Sequence, residues 1–255
     1  MDTLIYDHTF EGFLSAVFHV YEYKLKEVKI CRSAAVLFDT VTHVDTDVIK
    51  AERVWTGLSK KLSAAGLQSL YCSYLADTIC EEDNMLAYIR YALSSSRNIE
   101  TDYSDFAVMR LQRVERMVHR ESHRMKAFIR FQLTKDEIYY AAIEPDFNVL
   151  PLVQKHFEKR YADQKWLIYD LRRSYGIYYD LDTTQIVQIT FDDKSTGDIA
   201  LYMDDKEELY QTLWQQYYKS TNIPGRKNMK LHIQHTPKRY WKYLSEKHVM
   251  GKTIL

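Results

Sequence analysis

An α+β fold is predicted for the 255-residue chain, with a mainly antiparallel sheet of about five strands, a helical block inserted near the N-terminus and helices after the sheet. Three observations predict it. The spacing of apolar residues changes from a period near 3.6 to a period of 2 at Ala127. The alternating stretches beyond that point are joined by hairpin-length connections. Only 7 glycines and 4 prolines occur, so long irregular loops are scarce, and the 46% apolar content supplies a sizeable core.

The elements follow in order. Thr3-Leu4-Ile5-Tyr6 reads as a short strand, and Asp7 or Thr9 then caps a helix whose apolar stripe is Phe10, Phe13, Leu14, Val17, Phe18, Tyr21 and Leu25. Thr46-Asp47 opens a second amphipathic run through Val48, Ala51, Val54, Trp55, Leu58 and Leu62. Two more helical patterns, Leu67 to Leu75 and Met85 to Leu93, end at Ser94-Ser95-Ser96, and a fifth starts near Ser104 with Val108, Leu111, Val114 and Met117 or Val118 inward. Strands are expected near 127–133, 137–143, 165–170, 175–180 and 185–191. A helix lies between the second and third of them, at about 148–161. Asp204-Asp205 then begins a helix with Glu207 and Glu208 in its first turn, as the helix dipole prefers. We expect one α+β domain over 1–255, with a helical subdomain at 46–126 and a sheet-containing part at 127–255 that ends in a basic tail.

Charge is balanced overall, with 35 basic and 35 acidic residues, so only its local distribution is informative. Residues 1–105 hold 10 basic and 16 acidic side chains, whereas 219–255 hold 9 basic and 1 acidic. Three cysteines at wide spacing, Cys31, Cys72 and Cys80, match neither a disulfide framework nor a zinc or iron–sulfur motif, which predicts a reducing compartment. With no run of 18 apolar residues and no signal peptide pattern, the expectation is a cytoplasmic protein that does not engage a membrane. The dispersed glycines exclude a phosphate loop or dinucleotide fingerprint, and no Gly-x-Ser-x-Gly elbow is present.

Two kinds of site remain. Glu144 and Asp146 at a strand end, with His156 and Asp170 further on, are candidate acid–base groups or metal ligands, although helix capping at Asp146 or Asn148 and a buried Asp170–arginine pair explain the same residues. His119 and His123 stand at i and i+4, but they lack a matching third ligand, so no metal and no cofactor is expected. The second kind is a nucleic-acid surface. Arg113, Arg116, Arg120 and Arg124 recur along one helix, and the tail adds Arg226, Lys227, Lys238 and Arg239 with Tyr240 and Trp241 among them as stacking platforms. We expect the arginine helix and the tail to form one such surface. The alternative is a solvated basic face with the aromatic rings packed inward.

Several of these segments resemble a known family. His123-Arg124-Met125-Lys126-Ala127-Phe128-Ile129-Arg130-Phe131, Ile143-Glu144-Pro145-Asp146, Trp166-Leu167-Ile168-Tyr169-Asp170 and Thr236-Pro237-Lys238-Arg239-Tyr240-Trp241-Lys242 are similar to uncharacterised bacterial proteins described as probable DNA-metabolism proteins. Tyr6-Asp7 with Phe10-Glu11-Gly12-Phe13 matches that family's opening, although His8 stands where a small residue is expected. The resemblance implies a DNA-associated accessory role in DNA modification or repair, beside a radical S-adenosylmethionine protein, and relatedness to domains fused to uracil-DNA glycosylase-like proteins. It carries no established catalytic residue. Lacking a three-cysteine cluster site, the chain is not itself the radical enzyme. A nucleic-acid-directed enzyme using Glu144, Asp146, His156 and Asp170 and a pure protein-interaction module are the other readings.

Overall fold

In the computed structural model, residues 2–33, 40–78, 81–189, 203–221, 228–249 and 252–253 are described. They fall into two compact units, Met1–Arg120 and Glu121–Leu255. Among them no helix is long and apolar enough to cross a membrane.

The first unit is built on β1 (Asp2–Ile5), the middle strand of a parallel three-stranded sheet flanked by β2 (Val28–Cys31) and β3 (Thr40–His43). β2 and β3 are not apparent in the sequence because four residues are too few to declare a period. The crossover helix α1 (Phe10–Glu22) returns the chain so that β1 and β2 run the same way. Both expected capping residues act there. Thr9 is the N-cap, accepting from the Gly12 amide, while Asp7 accepts from the Thr9 amide at 3.1 Å and from the Thr9 and Thr46 hydroxyls at 2.6 and 2.7 Å. His8, the departure from the expected small residue, adopts φ 67°, a left-handed conformation that favours glycine.

Helices α2 (Val48–Ser59), α3 (Ala64–Leu75), α4 (Glu81–Ser94) and the first part of α5 (Phe106–Phe128) complete this unit. Asp47 and Ser63 cap α2 and α3 with their side-chain oxygens. The core gathers the inward stripe of each helix, with Phe13, Leu58, Leu70, Ile89 and Leu111 fully buried against Leu4 and Ile30 of the sheet. Beside the sheet lies a buried charge network. The Tyr6 hydroxyl and the Arg32 Nε both donate to Glu82, at 3.0 and 2.8 Å, and Glu82 itself is only 4% exposed. Burial, followed by the Glu82 charge, pushes the Tyr6 phenol far above its ordinary range.

The second unit holds a five-stranded mixed sheet in the order β4 (Gln132–Leu133), β5 (Tyr139–Ile143), β6 (Trp166–Asp170), β7 (Tyr175–Tyr179) and β8 (Thr184–Val187). Pairs β4–β5, β6–β7 and β7–β8 are antiparallel, but β5–β6 is parallel, with Ile143 opposite Asp170. α6 (Leu150–Arg160) is the reason: it carries the chain back across the sheet, so β6 enters in the direction of β5. The expected strand at 127–133 is shortened to its last two residues. Ala127 and Phe128 still belong to α5, and the Ile129 amide bonds to the Met125 carbonyl, which buries these two side chains one helical turn apart. Over so few residues, helical and alternating patterns share the same apolar positions. Trp166, Ile168, Val153 and Phe157 form the buried centre of this unit. α7 (Glu207–Thr221), α8 (Met229–His235), two 3-10 turns at Lys238–Tyr243 and Ser245–Lys247, and the hairpin β9 (His248–Val249) and β10 (Lys252–Thr253) follow.

A Cβ on Gly12 would collide with the Asp7 carboxylate and stand 2.8 Å from the Thr46 hydroxyl oxygen. Because three hydrogen bonds hold that carboxylate in place, it cannot swing away cheaply. Gly12→Ala is expected to destabilise the protein by about 1–3 kcal/mol despite the better helix propensity of alanine, as read by urea denaturation.

Candidate functional site

The carboxyl ends of the parallel pair β5 and β6 bring three of the four acid–base candidates together. Asp170 ends β6 and is fully buried; it accepts from the Arg172 and Arg173 amides at 2.9 and 3.2 Å and from Arg173 Nη1 at 2.9 Å. The same guanidinium donates to the carbonyls of Pro145 and Asp146, at 3.2 and 3.1 Å. Asp170 and Arg173 thereby clamp the turn that leaves β5. Burial pushes the Asp170 carboxyl up from its ordinary value, with Arg173 acting in the opposite sense.

Glu144 and Asp146 lie in that turn, and each meets the C-terminal segment. Glu144 accepts from Lys242 and, at 2.9 Å, from the Tyr243 hydroxyl, and these hydrogen bonds hold its carboxyl below the ordinary value of 4.5. Asp146 is ion-paired with Arg239 Nη2 at 2.8 Å. The residue that binds this assembly is Glu121 on α5, 1% exposed, which accepts from the Asp146 amide at 3.0 Å and from Arg239 Nη2 at 2.8 Å, with Arg124 Nη1 at 3.8 Å. In the sequence Glu121 is visible only as the acid between His119 and His123. Nothing local marks it as buried.

His156 is not part of this network. It is exposed on α6, where partial burial followed by the Lys126 and Arg160 charges lowers its pKa. The four candidates therefore do not converge as one acid–base set, since the carboxylates hold cations of the same unit while His156 sits among positive charges. His119 belongs to the first unit, with Nε2 3.6 Å from Glu115 and 3.8 Å from the Cys72 thiol, which burial pushes up to about 11. Among the described residues, no three His, Cys, Asp or Glu side chains are grouped so as to hold a metal.

The basic residues divide into engaged and unengaged sets. In the first unit Arg110 is bound to the buried Glu81 at 2.7 Å, while Arg113, Arg116 and Arg120 are exposed on α5, with Arg116 Nε donating to the Gln112 carbonyl. In the second unit Arg124 and Arg239 are tied to Glu121. Arg226 and Lys227 lie outside the described residues. Tyr240 corrects an expectation: it is 2% exposed, packed against Phe128 and beneath the Arg239 guanidinium, so its ring offers no stacking face to a ligand.

Trp241 is different. Its indole is half-buried and anchored by Nε1 donating to the Thr236 carbonyl at 3.0 Å. Lys238 and Lys247 place their ammonium groups 6.0 and 5.2 Å from its ring centroid, and the His232 ring lies 5.9 Å away. Lys247 also donates to the Tyr218 hydroxyl and to His232 Nε2, at 3.0 and 2.9 Å. The result is a cluster of cations and aromatic rings with no carboxylate among the partners described for Lys238 or Lys247. Such a cluster has the chemistry to take a phosphate beside a flat ring.

Residues 80–246 match the model of a family described as a domain of unknown function, DUF4130. The match contains Glu121, the β5 and β6 ends, Arg239, Lys238 and Trp241 and stops one residue before Lys247, while β1 through α3 precede it. No curated protein matches the chain.

Two outcomes are expected. Arg173→Ala leaves Asp170 buried without its guanidinium and should cost about 3–5 kcal/mol in urea denaturation, whereas Lys242→Ala, at an exposed pair, should cost under about 1 kcal/mol. The depressed Glu144 carboxyl contributes stability above its unfolded pKa that is lost as the pH falls through its lower folded value. Acidification below pH 4.5 should therefore loosen the Lys238–Tyr243 turn, and Glu144→Gln should abolish that contribution to the acid transition of backbone amide exchange in this segment.

Proposed function

We propose that this chain, which belongs to the DUF4130 family, is a DNA-associated accessory protein whose second unit binds the nucleic-acid backbone through the Trp241 cluster. The observation that carries the reading is the pair of lysines, Lys238 and Lys247, set over one anchored indole with no carboxylate partner described. Phosphate would supply the missing negative charge, and the exposed part of the indole offers a face for a base. This arrangement suits single-stranded or flipped-out nucleotides better than an intact duplex, in which the base faces are hidden.

Binding is favoured over catalysis because Glu144, Asp146 and Asp170 each already engage a lysine or arginine of the same unit. A role in DNA modification or repair beside a radical S-adenosylmethionine protein is the further content of the proposal. It is supported by the resemblance of the segments around Arg124, Glu144, Asp170 and Arg239.

Fluorescence anisotropy with a labelled single-stranded oligonucleotide, titrated at several salt concentrations, tests the reading. Lys238→Ala with Lys247→Ala should reduce the slope of log affinity against log salt by up to about 1.4, the value for two phosphate contacts on a single strand. Trp241→Ala should cost about 1–3 kcal/mol of binding. A slope unchanged by the lysine replacements overturns the assignment of the interface.

A further inference from the structure

The first unit contains a cleft that the ion network and the lysine cluster leave unused. It lies where α1, α2 and α3 meet, has a volume of about 550 Å³, and precedes the segment matched by the family. Its walls include Phe10, Trp55, Leu67 and Tyr71, and its lining includes the exposed carboxylates Glu11 and Glu52. Phe10 meets the Trp55 and Tyr71 rings edge-on, at centroid distances of 5.6 and 5.2 Å and interplanar angles of 82° and 78°. The three rings therefore present differently oriented surfaces to one space. No lysine, arginine or histidine lines it, and neither carboxylate has an ion-pair partner among the described residues.

The neighbouring cations are occupied elsewhere. Lys50 is paired with Glu22 at 2.9 Å and Arg53 lies over the Phe18 ring. The Glu11 charge acts on the Tyr71 phenol, raising its pKa after the larger effect of burial. Aromatic faces attract cations through their quadrupole, and a carboxylate next to them adds a full negative charge. An apolar ligand would gain nothing from the two carboxylates, and an anion would be repelled by them.

We propose that this cleft is a binding site for a small organic cation with an apolar body, held by the rings of Phe10, Trp55 and Tyr71 and neutralised by Glu11 and Glu52. The volume falls in the range of small-molecule pockets, ~300–1,000 Å³, and is more than a single lysine side chain from a protein partner would fill.

The test uses benzyltrimethylammonium as the probe and the full chain as the protein, with binding followed by calorimetry and by chemical-shift changes at Gly57 and Gly66. The cation should bind at least about tenfold more tightly than neutral benzyl alcohol, and benzoate should not bind. Glu11→Gln with Glu52→Gln should remove that preference while the circular dichroism and the oligonucleotide affinity stay unchanged, and Trp55→Phe should weaken cation binding without unfolding the chain. Equal affinity for the neutral probe, cation binding unaffected by the glutamine pair, or no binding at all overturns the proposal. So does a lysine-containing peptide that binds at this cleft when the small cation does not, because that outcome assigns it to a protein partner.

Discussion

The second unit depends on one buried carboxylate. Glu121 is almost inaccessible to water, and an ionised carboxylate in that position is tolerated only when its oxygens are hydrogen-bonded and its charge is met. One oxygen takes the Asp146 amide and the other takes Arg239. The turn after β5, the last turns of α5 and the C-terminal segment are therefore held to one another by the same group. Asp170 does the same work from the end of β6, fixing Arg173, whose guanidinium spans the Pro145 and Asp146 carbonyls. Removing a single partner from either site leaves a charge in the interior, which is why these pairs act as a unit.

This constraint changes the meaning of the basic tail. Nine basic residues against one acid between 219 and 255 look like a free polycationic segment. Arg239 and Lys242 are instead spent on acids of the same unit, and Tyr240 is drawn into the interior beneath Arg239. Lys238 and Lys247, grouped about Trp241, retain the character that a polyanion would recognise. Docking of the tail and exposure of this cluster are thus two results of one set of ion pairs.

The first unit solves a similar problem with different residues. Tyr6 at the end of β1, Arg32 after β2 and Glu82 at the start of α4 bury a hydroxyl, a cation and an anion together. The polar interior is satisfied close to the parallel sheet. The aromatic surfaces of α1, α2 and α3 are left to shape a separate cleft with its own acidic lining.

Local pattern alone determined much of this molecule. The helices that cover 48–59, 67–75, 85–93 and 106–126 follow from apolar spacing, the start of the first of them from Asp47, and the hairpin of β4 and β5 from the polar residues between two short alternating runs. These features depend on residues a few positions apart, and sequence records that distance directly. The parallel pairing of β5 with β6 was decided by the helix between them. The burial of Glu121 was decided by Arg239, 118 residues away, and the fate of Tyr240 followed from it. Whether a charged side chain is solvated, paired or buried is set by which distant partner reaches it. For this reason the candidate residues were legible as residue types, but their division into structural ion pairs and available cations was left to the tertiary structure.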